Sequence, residues 1–174
     1  MTYWVLKVYA VTDIIGTSPT FAELLARKIK ASENKKAKKL KEAHLDTAFP
    51  RAPHPITGKL SVWIRGSGVY GAIKEALKLY GKPLKEYPSV LGIYFPLECV
   101  VIETFHITQA TTGEKTLFTA EIVPAGAIGD LIFYGRAPPE KLRPKEIQLG
   151  RMKRRGFGLI RLDWSTLKEM QPTV

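Results

Sequence analysis

Apolar and polar positions along this chain fall mostly into short β-type runs, with helical spacing in two segments. Residues 3–11 (YWVLKVYAV) are aromatic and β-branched with partial alternation, which predicts a strand. Residues 14–19 (IIGTSP) read as a turn, after which Thr20 is placed to cap a helix from Phe21. Phe21, Leu24, Leu25, Lys28 and Ile29 form that helix's stripe. Pro50, Pro53, Pro55 and Gly58 make residues 46–59 an extended loop. Residues 60–64 predict a short strand, and Gly66-Ser67-Gly68 opens a helix with Val69, Ile73, Ala76, Leu77 and Tyr80 on one side. Ser67 suits its N-cap, and Gly81 and Pro83 would stop it.

Downstream the pattern is again that of strands. Residues 90–95 and 99–105 read as a strand pair around Pro96. Residues 117–123 and 128–134 flank Pro124-Ala125-Gly126 and read as a hairpin. Residues 138–148 allow a short helix at best, because Pro144 interrupts it, and residues 156–164 close as a strand. The expected fold class is α+β. It is a ferredoxin-like (RRM-like) βαββαβ core, with an inserted basic helix or loop after the first strand and an extra strand pair. A single domain over residues 1–174 is expected, its insertion covering about residues 20–59.

Composition narrows the class. Hydrophobic residues are 45% and charged residues 25%, which is globular usage. Cys99 is the lone cysteine, so no internal disulfide forms and a reducing compartment is expected. With no signal-peptide pattern and no long apolar run, the expectation is a cytoplasmic protein without a membrane partner. Net charge is +11 and is concentrated. Residues 27–41 and residues 136–161 each carry a net +7, so the rest is slightly acidic. The two blocks would form a groove for a polyanion if they meet in space, and otherwise form a solvated helix face and a basic loop. Few apolar residues stand between 35 and 41, so that stretch reads as an arm that orders on binding.

Two motifs bear on chemistry. Residues 149–158 (LGRMKRRGFG) set Arg151, Lys153, Arg154 and Arg155 between glycines, so bare backbone and four cations can face phosphate. Phe157 would stack on a base or pack in the core, and Gly156 and Gly158 would shape the loop or a bulge. Residues 63–74 (WIRGSGVYGAIK) read as strand, glycine turn and helix start, and a helix N-terminus favours phosphate. Gly66, Gly68 and Gly71 match the letters GxGxxG. No acidic residue stands in a following strand at the expected distance, and Walker spacing is absent, so no nucleotide cofactor is expected.

Together the motifs resemble the CRISPR-associated RAMP superfamily. Residues 55–58 (PITG), 62–67 (VWIRGS) and 71–77 (GAIKEAL) are similar to its glycine-serine segment before a helix, and residues 150–158 to its C-terminal glycine-rich loop. The likeness is closest to backbone-type subunits, and includes similar small proteins of phages and archaeal mobile elements. Arg65 stands where the family has proline and Gly68 where it has a second serine. The resemblance implies single-stranded RNA held in antiviral defence, with other effector-complex subunits or copies of the chain as partners. Its expected contacts are Lys35, Lys36, Lys38, Lys39, Arg65, Gly66, Ser67, Lys74, Arg151, Lys153, Arg154, Arg155, Gly156, Phe157 and Gly158, with Tyr70 as a second stacking face.

Two other functions stand beside this. One is a RAMP-type endoribonuclease using Asp46, His44 or His54; Asp46 would otherwise end a helix. His106 follows a strand and reads as a sheet residue. The other is a phage-type protein that binds single-stranded DNA or assembles on an acidic partner. One cysteine and three scattered histidines give no metal-ligand cluster, and no G-x-S-x-G elbow is present.

Overall fold

The computed structural model describes residues 1–20, 22, 23, 45–108 and 111–173. Its strands are β1 (Thr2–Ala10), β2 (Ile14–Ile15), β3 (Arg51–Pro53), β4 (Leu60–Arg65), β5 (Ser89–Pro96), β6 (Val101–Thr108), β7 (Lys115–Val123), β8 (Ile128–Gly135), β9 (Glu146–Gln148) and β10 (Leu159–Met170). Helix α1 (Gly66–Ala76) lies between β4 and β5. Seven strands form a curled antiparallel half-barrel in the order β3-β4-β5-β8-β1-β10-β9. The other three form a second antiparallel sheet in the order β2-β7-β6.

The central strands are apolar because both of their faces are covered. Leu6 and Val8 of β1 join Ile93, Phe95, Leu131 and Phe133 against Val69, Ala72 and Ile73 of α1. Val5 points the other way, toward Ile132, Tyr94 and Ile56. Burial of side chains such as Phe95 and Phe133 contributes about 1.5–3 kcal/mol each. The second sheet has its own cluster, in which Ile15, Ala120 and Ile122 meet Phe105, Phe118, Met152 and Phe157.

The ferredoxin-like core is not formed: the described residues are mostly β, with 48% of them in strands. A split βαβ unit needs each helix to cross to a parallel strand with another strand between. Here α1 joins β4 to β5, which are antiparallel neighbours from Ser61↔Pro96 to Arg65↔Gly92. The second expected helix is also missing. Pro138, Pro139 and Pro144 interrupt residues 138–148, Leu142 takes a φ of 61°, and the segment yields only β9.

Two expected pairings fail in the same way. β5 and β6 belong to different sheets, and so do β7 and β8. The turn at Pro124-Ala125-Gly126 is present, but it hands the chain from one sheet to the other. Its Gly126 N–H donates to the Ala10 carbonyl at 2.7 Å. Ile14 and Ile15 form a strand rather than part of a turn, and residues 51–53 of the expected loop pair with β4. Pro19 and Thr20 are already helical, and Ala22 N–H donates to the Ser18 carbonyl at 3.3 Å, so Thr20 is not the cap. Phe21 and the stripe at Leu24, Leu25, Lys28 and Ile29 lie outside the described residues, as does the basic stretch 27–41. Helix α1 stops before Gly81: its C-cap is Leu77, and Lys78 turns to a φ of 57°. No helix among the described residues is long and apolar enough to cross a membrane.

Candidate functional site

The junction of β4 and α1 supplies one wall of the site. Arg65 takes the N-cap position, so Ser67 lies inside the first turn. No side chain caps the helix, and no acidic residue stands in its first turn. The helix's own first turn therefore carries no side chain that neutralises the positive end of its amides. Gly66 is dictated by packing: a Cβ there would fall on the Val90 carbonyl oxygen. Gly68 and Gly71 are different. A Cβ at either would meet nothing within 4 Å, so packing does not require them.

The loop between β9 and β10 supplies the other wall. Its ends are pinned where Leu149 N–H donates to the Gly158 carbonyl at 2.8 Å and Gly158 N–H to the Asp13 carbonyl at 2.9 Å. Gly158 has a φ of 82°, and a Cβ there would fall on the Leu149 carbonyl oxygen. Met152 at 60° and Gly156 at 90° bracket a 3-10 turn of Lys153–Arg155. Gln148 holds this turn from inside: its Nε2 donates to the Lys153 carbonyl at 2.7 Å and to the Phe157 carbonyl at 3.0 Å.

Between the walls is an open cleft of about 810 Å³. Arg65, Ser67, Gly68 and Gly71 line one side, and Gln148, Gly150, Arg151 and Lys153 the other. Ile64, Ala72 and Leu149 add apolar surface, and Thr17, Ser18 and Thr20 supply hydroxyls. The two motifs read separately in the sequence thus face one space. Glu75 also lines it, with Lys153 Nζ at 3.5 Å. Both of these side chains are largely exposed, so the pair holds Lys153 only weakly. This is not a dinucleotide site of the GxGxxG type, because β5 returns antiparallel to β4.

The remaining expected residues are placed elsewhere. Lys74 lies over the Tyr70 ring at 5.0 Å, and the Tyr70 hydroxyl accepts from Leu84 N–H. Arg154 and Arg155 are exposed on the turn without lining the cleft. Phe157 packs edge-on against Phe105 at 5.7 Å in the second sheet's cluster, which is the packing alternative to base stacking. Lys35, Lys36, Lys38, Lys39 and His44 lie outside the described residues, and with them the question of whether the two basic blocks meet.

Asp46 and His54 are engaged in structure. Asp46 Oδ2 accepts from Thr119 N–H at 2.8 Å, and its own N–H donates back to the Thr119 carbonyl at 2.7 Å. His54 is buried, with Nδ1 accepting from Ile56 N–H at 3.1 Å and Thr57 N–H at 3.3 Å. That leaves the ring proton on Nε2, which donates to Asp130 Oδ2 at 2.8 Å. Lys7 Nζ holds the other Asp130 oxygen at 2.7 Å. Burial opposes ionisation of Asp130, but these two donors outweigh it and hold the carboxyl below its ordinary value. His106 is exposed on β6 opposite Leu117. Among the described residues, no group of three or more His, Cys, Asp or Glu is placed to hold a metal.

Sequence reasoning missed Thr17, Ser18, Glu75 and Gln148 as cleft residues. The first two were legible only as turn formers. Gln148 carries no local signal, because its role depends on a loop that folds back over it. No protein-family model matches the chain, and a comparison with curated proteins found no match.

Proposed function

We propose that the cleft binds the backbone of single-stranded RNA, with Arg65, Arg151 and Lys153 on phosphates and the start of α1 as a further anion contact. The observation that carries this reading is that the uncapped helix start and the basic loop line one cleft. Cations there neutralise phosphate and release counterions, while bare helix backbone lets the strand come close. Gly68 and Gly71 support it as well. Glycine inside a helix is less favourable than alanine by roughly 0.5–1 kcal/mol, and here no packing contact compensates. Leaving the cleft side of α1 bare gives both a purpose. The resemblance to RAMP backbone subunits supplies RNA as the polymer, and with it the expectation of several copies along a guide strand.

The test is fluorescence anisotropy with a single-stranded RNA across a salt series, on the wild type and on a variant with Arg65→Ala, Arg151→Ala and Lys153→Ala. Wild-type affinity should fall steeply with salt. Each phosphate contact on a single strand contributes about 0.7 to the log–log slope, so the triple variant should lose a slope of about 2. Equal affinity and slope in the two proteins would refute the cleft as the binding surface.

A further inference from the structure

We propose that Gln148 makes the cleft prefer RNA over DNA by accepting a hydrogen bond from a ribose 2′-hydroxyl. This rests on the nucleic-acid reading of the same cleft and goes beyond it by naming the atom that selects the sugar. The orientation of the Gln148 amide is fixed by chemistry. Two carbonyl oxygens, of Lys153 at 2.7 Å and of Phe157 at 3.0 Å, face the same end of its side chain. Only the NH₂ group can donate to both, so a flipped amide would set oxygen against oxygen. Both amide protons are then used, and Oε1 takes no partner among the described residues.

Gln148 lines the cleft beside Gly150, Arg151 and Lys153. The cations there, Arg65, Arg151 and Lys153, only donate hydrogen bonds and recognise phosphate in either polymer, while the Glu75 carboxylate that also lines the cleft faces Lys153 at 3.5 Å. A free amide oxygen is an acceptor. It has nothing to take from a deoxyribose, whereas a ribose offers it the 2′-OH proton. The same two bonds that hold the basic loop thus orient the acceptor, so the loop and the sugar preference are set by one side chain.

The test measures affinities for one sequence as RNA, 2′-fluoro RNA and DNA, with the wild type and with Gln148→Met and Gln148→Glu. The wild type should bind RNA about three- to tenfold more tightly than either of the others, as expected for one net hydrogen bond. In Gln148→Met, RNA and DNA should bind alike, whatever happens to their common affinity. Gln148→Glu retains acceptor oxygens and loses the loop bonds, so it should bind both polymers more weakly while still favouring RNA. Loosening the loop alone would lower all affinities together and leave the wild-type ratio in every variant. A wild type that binds RNA and DNA equally, or a Gln148→Met variant that keeps the preference, overturns the assignment of Gln148 and leaves the cleft reading standing. A wild type that binds none of the three ligands overturns both.

Discussion

The glycines of α1 separate packing from function residue by residue. Gly66 admits no side chain, because β5 runs immediately beneath it. Gly68 and Gly71 would each admit a methyl group, and both line the cleft. Changing either to alanine should therefore act in opposite directions on two properties. Gly71→Ala should stabilise the fold by about 0.5–1 kcal/mol in urea unfolding, since helix propensity rises with no clash. The same change should weaken RNA binding, because the methyl group covers backbone that the strand approaches. A stabilised protein with unchanged RNA affinity would show that the bare face has no part in binding. At Gly66 the same substitution should instead destabilise, so the pair also checks the packing.

A buried ion pair joins elements of the two sheets. Glu121 of β7 is 3% exposed. Its Oε1 accepts from Phe49 N–H at 2.9 Å and from Arg51 Nη1 at 2.7 Å, and its Oε2 from Arg51 Nη2 at 2.6 Å. Arg51 opens β3 in the half-barrel, so this fork ties the small sheet to the large one. Glu121→Ala would leave the guanidinium and the Phe49 amide without this acceptor. A loss of roughly 3–5 kcal/mol is expected from chemical denaturation. Replacing both partners by apolar residues of similar volume should recover most of that loss. A single-site loss below about 1 kcal/mol would mean that the sheets are held by their apolar contacts alone.

The strands themselves were legible in the sequence, because a pleated segment repeats its pattern locally. Residues 3–11, 60–64, 90–95, 117–123 and 128–134 all lie mainly in strands. The choice of partner was not legible. Phe95 and Val101 are close in sequence, yet one pairs with Val62 and the other with Ile122. Nothing in either strand's alternation specifies a partner so far along the chain. The last strand also runs past Trp164 to Met170, with an irregularity opposite Val5 and Lys7 that a local pattern does not record. The proline-broken segment after β8 carried a local warning, and that warning was the correct one.

For the molecule as a whole, the half-barrel serves to bring two distant loops to one place. The loop after β9 reaches the cleft because Gly150 rests against the Ile15 carbonyl of β2 and Gly158 bonds to Asp13. The helix start reaches it because α1 packs on β5 and β9. The cations of both motifs were visible in the sequence, and their meeting follows from this topology. Arg65 rather than Ser67 took the N-cap position, and Phe157 turned toward Phe105, since local motifs do not specify which face of a loop becomes buried.

The most direct measurement is photo-crosslinking of the protein to a single-stranded RNA carrying 4-thiouridine, with the crosslinked peptides identified by mass spectrometry. The cleft reading predicts crosslinks within residues 64–75 and 148–153, competed away by unlabelled RNA and reduced by high salt. Crosslinks confined to peptides outside those two segments would contradict it.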